Sequence, residues 1–234
     1  MSLRDTFSVK SMTMELTSAR HGESVAEKRE SPQSIKPTLL IRTRRTNPYF
    51  DEVCEYWVEL WQKQIGIKNP DFTGIAPFTA HPGFWPLMMP KHESITTQLL
   101  FDICRERFSC WKYTKSSLDK VVVMNDRDPR CNSYVAWFRD RVEADEELSN
   151  LSAIKLEKME ISGITLLERE VMEYEFFHRT KSHLDIDNMT ICSGSLYLCG
   201  DVPRVRWDGK RFFIHWFFTD RANPIMRSRQ IFTF

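Results

Sequence analysis

The most constraining feature of this chain is a pair of alternating apolar segments joined by a short turn. Asp201–Trp207 and Arg211–Phe218 flank Asp208-Gly209-Lys210. Asp-Gly between two such segments is a strong signal for a β-hairpin. Successive side chains of a strand point to opposite faces of the sheet. The hairpin therefore has two faces of different chemistry, and only one of them suits a buried core.

The inward and outward sets of this hairpin can be separated by the alternation. We expect one face to pack against the core through Val205, Trp207, Phe212, Ile214, Trp216 and Phe218. The other face would present Arg204, Arg206, Arg211, Phe213 and His215, with Phe217 following the same alternation. A further strand over Met226–Phe234 would add Arg227 and Arg229. The pattern predicts a basic, aromatic surface on a rigid sheet.

Local signals predict three helices. Asn47 is a plausible N-cap with Pro48 in the first turn and Gly66 as the stop. Apolar spacing makes Trp57 and Trp61 core residues of that helix. A second helix is predicted over 94–108, with Leu99, Leu100, Ile103 and Cys104 facing inward. A capping box at Thr165 and Glu168 begins the third, which ends near Lys181 and buries Leu167, Val171, Tyr174 and Phe177.

The remaining segments give weaker signals. Short strands are predicted over 38–43, over Lys120–Met124 as a buried strand, and over 133–142. Residues 70–90 hold several prolines and aromatic residues and are predicted to form an ordered loop. The acidic run Glu143, Asp145, Glu146 and Glu147 is interpreted as a solvated helix start, favoured by the helix dipole.

Composition limits the classes of protein to consider. The 234 residues supply enough apolar material for a core, and the net charge of +1 gives no general attraction to nucleic acid or anionic lipid. No apolar run is long enough to cross a bilayer, and no secretory signal is evident. The six cysteines have neither CxxC pairs nor zinc spacing. We expect a cytoplasmic protein with reduced thiols, no membrane association and no cofactor.

The organisation expected from these signals has three parts. Residues 1–36 are rich in Ser, Glu and Arg and are predicted to be a flexible tail. Residues 37–114 would form a helical N-terminal region of unknown role, and residues 115–234 a ligand-binding domain. The predicted fold class is α+β, with this C-terminal domain carrying the function.

The C-terminal segment also has an unusual residue bias. From Cys192 to Arg229 there is no Glu or Gln, and Lys and Met occur only as Lys210 and Met226. Since these four types form about a fifth of the chain, roughly seven or eight were expected by whole-chain usage. Together with Trp they are the residues that codons ending in C cannot encode. A mutator acting on the first two bases of AAC codons would leave this bias and would spare Trp207 and Trp216; chance in an aromatic strand region is the alternative.

The same segment resembles a known family. Thr190-Ile-Cys-Ser-Gly-Ser195, Gly200-Asp-Val-Pro-Arg-Val-Arg-Trp207, Phe213-Ile-His-Trp216 and Arg227-Ser-Arg229 look like the variable region of hypervariable proteins made by diversity-generating retroelements. Gly163-Ile-Thr-Leu-Leu-Glu168 is similar to the helix that packs beneath such a region. The resemblance covers roughly residues 115–234. It implies a C-type-lectin-like fold, related to the formylglycine-generating-enzyme type, with varied residues on an exposed binding face.

The function predicted from these observations is non-catalytic binding of an unknown protein or glycan ligand. Stacking faces and cations on a scaffold suit such a surface, as in antibody loops. Trp207 and Trp216 would be scaffold. The predicted ligand-binding residues are Leu196, Tyr197, Leu198, Arg204, Arg206, Arg211, Phe213, His215, Phe217 and Phe218.

Two alternatives stay open at this point. The same arginine and phenylalanine set could bind single-stranded nucleic acid, because bases stack on aromatic side chains. A metal-dependent enzyme would use His183, Asp185 and Asp187, which share one face if they lie on a strand. An enzyme could instead use a thiol nucleophile and an imidazole base, formed by His215 with Cys192 or Cys199.

Overall fold

The computed structural model describes residues 47–232, which belong to one compact unit. The tail predicted over 1–36 and the strand predicted over 38–43 lie outside the described residues. The boundary predicted between residues 114 and 115 falls inside the compact unit, because strands on either side of it pair with each other. Residues 47–114 therefore form part of the same core and are not a separate helical extension.

The first helix confirms the capping prediction. Helix α1 spans Pro48–Glu59, and the side chain of Asn47 accepts a hydrogen bond from the Phe50 amide at 3.2 Å. A π-helical turn continues it over Leu60–Ile65, and Gly66 ends it with a φ of +86°. Trp57 and Trp61 are fully buried, and each indole N–H donates to a main-chain carbonyl at 3.0 Å. Their predicted role in the core is confirmed.

The carbonyls that accept these two hydrogen bonds belong to a strand that the sequence does not predict. β1 spans Phe84–Met89 within the segment interpreted as a loop. It pairs antiparallel with β4, Tyr134–Arg139, which confirms the strand predicted over 133–142. Pro86 lies inside β1 and has no N–H to donate. The two-stranded sheet accommodates it, because proline is tolerated where a strand lacks a second neighbour.

The second helix, α2, spans Thr97–Arg107, and the Thr96 side chain caps it through the Leu99 amide at 3.2 Å. The short strand β2, Cys110–Lys112, follows it, and α3 spans Leu118–Val121. β3 spans Val122–Asn125 and pairs with β6, Ser195–Tyr197. The strand predicted over Lys120–Met124 is confirmed from Val122 onwards, but its predicted start and its burial are wrong. Lys120 and Val121 are helical, and Val123 and Met124 are 57% and 45% exposed on a two-stranded sheet.

The acidic run is only partly a solvated helix start. Glu146–Leu148 forms one 3-10 turn, and α4 follows over Ala153–Lys158. Asp145 is buried instead. Arg139 pairs with its carboxylate at 2.9 Å, and the Gln230 amide donates to the same carboxylate at 2.7 Å. The buried carboxylate is thus compensated by both a charge and a hydrogen bond.

Helix α5 forms the centre of the core. It spans Leu166–Thr180, and both hydrogen bonds of the predicted capping box between Thr165 and Glu168 are present. Lys181 ends the helix in the left-handed conformation. Leu167, Val171 and Tyr174 are buried as predicted, while Phe177 is half-buried.

The main sheet has five strands in the order β2-β8-β7-β5-β9. Besides β2 it contains β5 (Met189–Ile191), β7 (Val202–Trp207), β8 (Phe212–Phe217) and β9 (Met226–Ser228). β7 and β8 form the predicted hairpin, with Gly209 at a φ of +85° in the turn. β2 joins β8 in parallel, and β9 joins β5 in parallel. The fold is α+β with a mixed sheet, and no helix within residues 47–232 has the length and apolarity to cross a membrane.

Candidate ligand-binding face

The hairpin separates its side chains as the alternation predicts over 204–206 and 212–215. Val205, Phe212 and Ile214 are fully buried in the core that α5 shares. On the opposite face, the register places Arg206 beside Phe213 and Arg204 beside His215. The residues on this outer face are half-buried and reach solvent. The β-sheet therefore holds the predicted basic and aromatic residues together.

A tryptophan from the region of unknown role completes this surface. Trp111 of β2 lies beside Phe213 in the parallel register, and their rings stack at 4.7 Å with an 8° interplanar angle. His215 lies 5.6 Å from Phe213 and 5.9 Å from Trp111, with interplanar angles of 13° and 19°, so the three near-parallel rings are mutual neighbours. We call Trp111, Arg204, Arg206, Arg211, Phe213 and His215 the sheet face. No local sequence pattern predicts Trp111 at this face, because a three-residue strand can be recognised only from the distant strand with which it pairs.

The three arginines of the sheet face differ in their partners. Arg211 pairs with Asp208 at 3.0 Å and lies over the Trp111 and Phe213 rings at 5.2 and 5.8 Å. Arg204 contacts the Met189 sulfur at 3.7 Å. Arg206 reaches two main-chain carbonyls, both at 3.4 Å. Burial, helped by the neighbouring charge of Arg206, lowers the pKa of Arg204.

Tyr197 does not join the sheet face and is a correction to the predicted site. It is 1% exposed and packs in the core, with its hydroxyl 3.5 Å from the His215 carbonyl. Its strand, β6, belongs to the small sheet with β3, so the alternation of the hairpin does not extend to it.

The other four predicted residues lie around the sheet face and not within it. Leu198 is 76% exposed in the turn after β6. Phe217 shares the alternation, but it packs against the cluster of Ala153, Val202 and Met226. Phe218 follows the end of β8 and is exposed, with Arg221 over its ring at 4.1 Å. It therefore does not pack inward as the alternation suggested.

Leu196 lines a separate cleft between α4 and the small β3–β6 sheet. The cleft has a volume of about 260 Å³ and is lined by Met124, Asp126, Ile154, Glu157, Leu196 and Val202, among others. Burial raises the pKa of Asp126. Because no sheet-face residue lines this cleft, the predicted site is divided between two places on the surface.

The last strand does not extend the basic surface. β9 is shorter than the predicted segment, and its register places Arg227 beside Thr190, which also pairs with the buried Val205. Arg227 therefore lies on the side of the sheet opposite Arg204. Arg229 is 1% exposed and pairs with Asp185 at 2.6 Å. Its charge therefore forms an ion pair inside the protein and is not available at the surface.

The three residues considered for a metal site have separate partners. Asp185 lies between Arg229 and Arg169, at 2.6 and 2.8 Å. Burial alone would raise the pKa of Asp185, but the two guanidinium groups hold it below its ordinary value. His183 faces Glu173 at 2.8 Å, while the Asp187 amide donates to Glu143. The described residues contain no group of three or more His, Cys, Asp or Glu side chains arranged to hold a metal.

The thiol–imidazole arrangement also has no geometric support. Cys192 is fully buried, and burial raises the pKa of its thiol. The His215 ring nitrogen Nδ1 lies 3.0 Å from the Trp216 carbonyl, and Cys199 contacts Asp201 at 3.3 Å. The imidazole is thus oriented by the main chain and by its stacked neighbours.

Comparisons with protein-family models, curated proteins and solved structures find no match to this chain.

Proposed function

We propose that this chain is a non-catalytic ligand-binding protein that presents the sheet face to a protein or glycan partner. The single observation behind the proposal is that one face of the hairpin is buried in the core while the other face reaches solvent. Phe212 and Ile214 are fully buried, while Phe213 and His215, their neighbours in sequence, reach solvent beside Arg204 and Arg206. Arginine and large aromatic residues supply most of the binding energy at protein interfaces.

We further propose that the face is diversified, in the manner of the variable proteins of diversity-generating retroelements. Exchange of outward residues would leave the buried Val205, Phe212 and Ile214 in place, so the fold would tolerate it. The absence of Glu and Gln from Cys192 to Arg229 supports this origin. The C-type-lectin-like fold implied by the resemblance belongs to the same proposal, and the α+β class is compatible with it.

The gene provides a direct test of diversification. We expect a near-duplicate of its 3′ end beside a reverse-transcriptase gene, differing from the coding copy at adenines. Differences spread over all four bases, or the same residue bias in a gene without such a duplicate, would refute the mutator origin. Ligand binding by the sheet face would then need to be judged by binding experiments alone.

Single-stranded nucleic acid is supported less well by the geometry. A base stacks on an open ring face. Here Trp111 stacks on Phe213, His215 lies beside both rings, and Arg211 lies over two of them. Part of the ring surface that a base would use is therefore occupied by contacts within the chain. Ring edges and guanidinium groups are available, and contact through them suits a protein surface.

Selection from a displayed random-peptide library on the immobilised protein tests the binding role. We expect recovered peptides to lose binding to a Phe213→Ala/His215→Ala variant, because truncation removes the contact area between the arginines. A Val142→Ala/Met159→Ala variant, altered at exposed apolar residues that belong to neither the sheet face nor the predicted ligand-binding set, is the matched control and should keep binding. Thermal midpoints of both variants report whether each is folded. Peptides that bind the first variant as well as the wild type would contradict the proposal.

A further inference from the structure

The fold pairs several shielded arginines with carboxylates. Four such guanidinium groups lie 2.6–2.9 Å from a carboxylate oxygen, namely those of Arg127, Arg139, Arg169 and Arg229. Arg204 and Arg206 have no carboxylate within ion-pairing distance in the part of the chain that the structure describes. Their charges are therefore uncompensated, although both side chains are half-buried.

Arg204 is the more incomplete of the two. Its Nε is shielded from solvent and has no hydrogen-bond partner among residues 47–232. Another of its nitrogens lies 3.7 Å from the Met189 sulfur, a weak acceptor, and the guanidinium lies 5.7 Å from the Phe217 ring centre. A partly shielded cation without a counter-charge is unfavourable, and a carboxylate that meets the solvent-facing part of this guanidinium would supply that charge.

The two guanidinium groups also define a spacing. Arg204 and Arg206 occupy alternate positions of β7, and alternate residues of a strand lie about 7 Å apart on one face. An extended peptide carrying Asp or Glu at alternate positions repeats at the same distance. The neighbouring rings of Phe213 and His215 offer edges beside this pair, since their faces are stacked.

We infer that the ligand of the sheet face is an acidic, extended segment of a partner protein, with carboxylates at alternate positions that pair with Arg204 and Arg206. This inference rests on the proposed function and names the chemistry of its partner. Arg211 contributes less, because Asp208 already neutralises it. The contacts that these rings make with one another leave less stacking surface for bases, which favours an acidic protein over a nucleic acid, whose phosphates the same arginines would otherwise attract.

Fluorescence anisotropy with defined probes tests this inference on the full chain. The probes are a labelled peptide alternating Glu and Thr, the same peptide with Gln for Glu, and an oligothymidylate of equal charge. We expect the Glu–Thr peptide to bind most tightly. Arg204→Gln or Arg206→Gln should each weaken it about fivefold, the effect of one charge-assisted hydrogen bond at a half-exposed site. The double variant should lose about 25-fold if the sites act independently.

Two controls separate specific pairing from general attraction. Lys155→Gln/Lys158→Gln removes the same charge from exposed positions of α4 and should change binding less than about twofold. Arg204→Lys/Arg206→Lys keeps the charge but removes the planar donor pair, so it should bind with intermediate affinity. Thermal midpoints establish that the variants are folded.

The outcomes distinguish the inference from the proposed function. Tighter binding of oligothymidylate, with loss on Phe213→Ala, would overturn both the acidic-peptide inference and the protein or glycan ligand of the proposed function, in favour of nucleic acid. Absence of Glu–Thr binding, or binding that Arg204→Gln/Arg206→Gln does not change, would also overturn it. Library peptides that depend on Phe213 and His215 but carry no acidic residues would have the same meaning.

Discussion

Glu170 offers a sharp test of the described core, because its carboxyl group is fully buried and neither oxygen has a hydrogen-bond partner within residues 47–232. Burial, followed by the negative charge of Asp119, raises the pKa of Glu170 well above its ordinary value of 4.5. The folded state therefore keeps the proton that the unfolded chain releases. Stability associated with this group is present below the unfolded pKa and is lost as the pH rises towards the folded pKa.

The substitution Glu170→Gln removes this titration while keeping the shape of the side chain. We expect the free energy of unfolding of the wild type to fall, relative to the variant, by about 1.4 kcal/mol for each pH unit above the unfolded pKa. The loss continues until the pH reaches the folded pKa. The difference between the two proteins isolates Glu170, because the other titrating groups are common to both.

Urea unfolding across a pH series, with both proteins in matched buffers, measures this slope. Glu93→Gln, at an exposed carboxylate, is the control and should shift the free energy by less than about 0.5 kcal/mol at every pH. A wild-type-minus-variant difference that stays constant between about pH 5 and pH 7 would refute the reasoning, since it would mean that Glu170 is ionised in the folded state.

Two further substitutions test the packing that supports the sheet face. Asp185→Asn leaves the guanidinium group of Arg229 buried without its counter-charge, and we expect a loss of about 3–5 kcal/mol in urea unfolding. Loss below about 1 kcal/mol would show that the pair is not essential. Gly194→Ala places a Cβ 2.6 Å from the Gly163 carbonyl oxygen, so a lower thermal midpoint is expected. An unchanged midpoint would contradict the close approach of these two main chains.

The predictions that the structure confirms depend on interactions between residues close together in the sequence. The capping box at Thr165 and the N-cap at Asn47 satisfy main-chain donors within a few residues, so they can be recognised without the fold. The hairpin is equally local, since Asp208-Gly209 sets the turn and the period of two assigns the faces. The identity of Arg204, Arg206, Phe213 and His215 as outward residues follows from that period.

Long-range pairing explains the predictions that were wrong or missing. The prolines of residues 70–90 predict a loop, yet pairing with β4 makes β1 a strand that includes Pro86. Trp111 reaches the sheet face through a parallel neighbour about a hundred residues later in the chain. The sequence predicts Tyr197 at the surface, but its strand belongs to another sheet and its ring is buried.

The sequence by itself determined which hairpin side chains share a face, because strand geometry alternates them whatever surrounds the hairpin. Only the tertiary structure decided which face of each strand is buried and which arginine has a counter-charge. Arg229 directly follows β9 and Arg204 lies in β7, yet of these two arginines Asp185 pairs only with Arg229. Burial and ion pairing depend on what distant segments bring to a residue, and no local pattern encodes that.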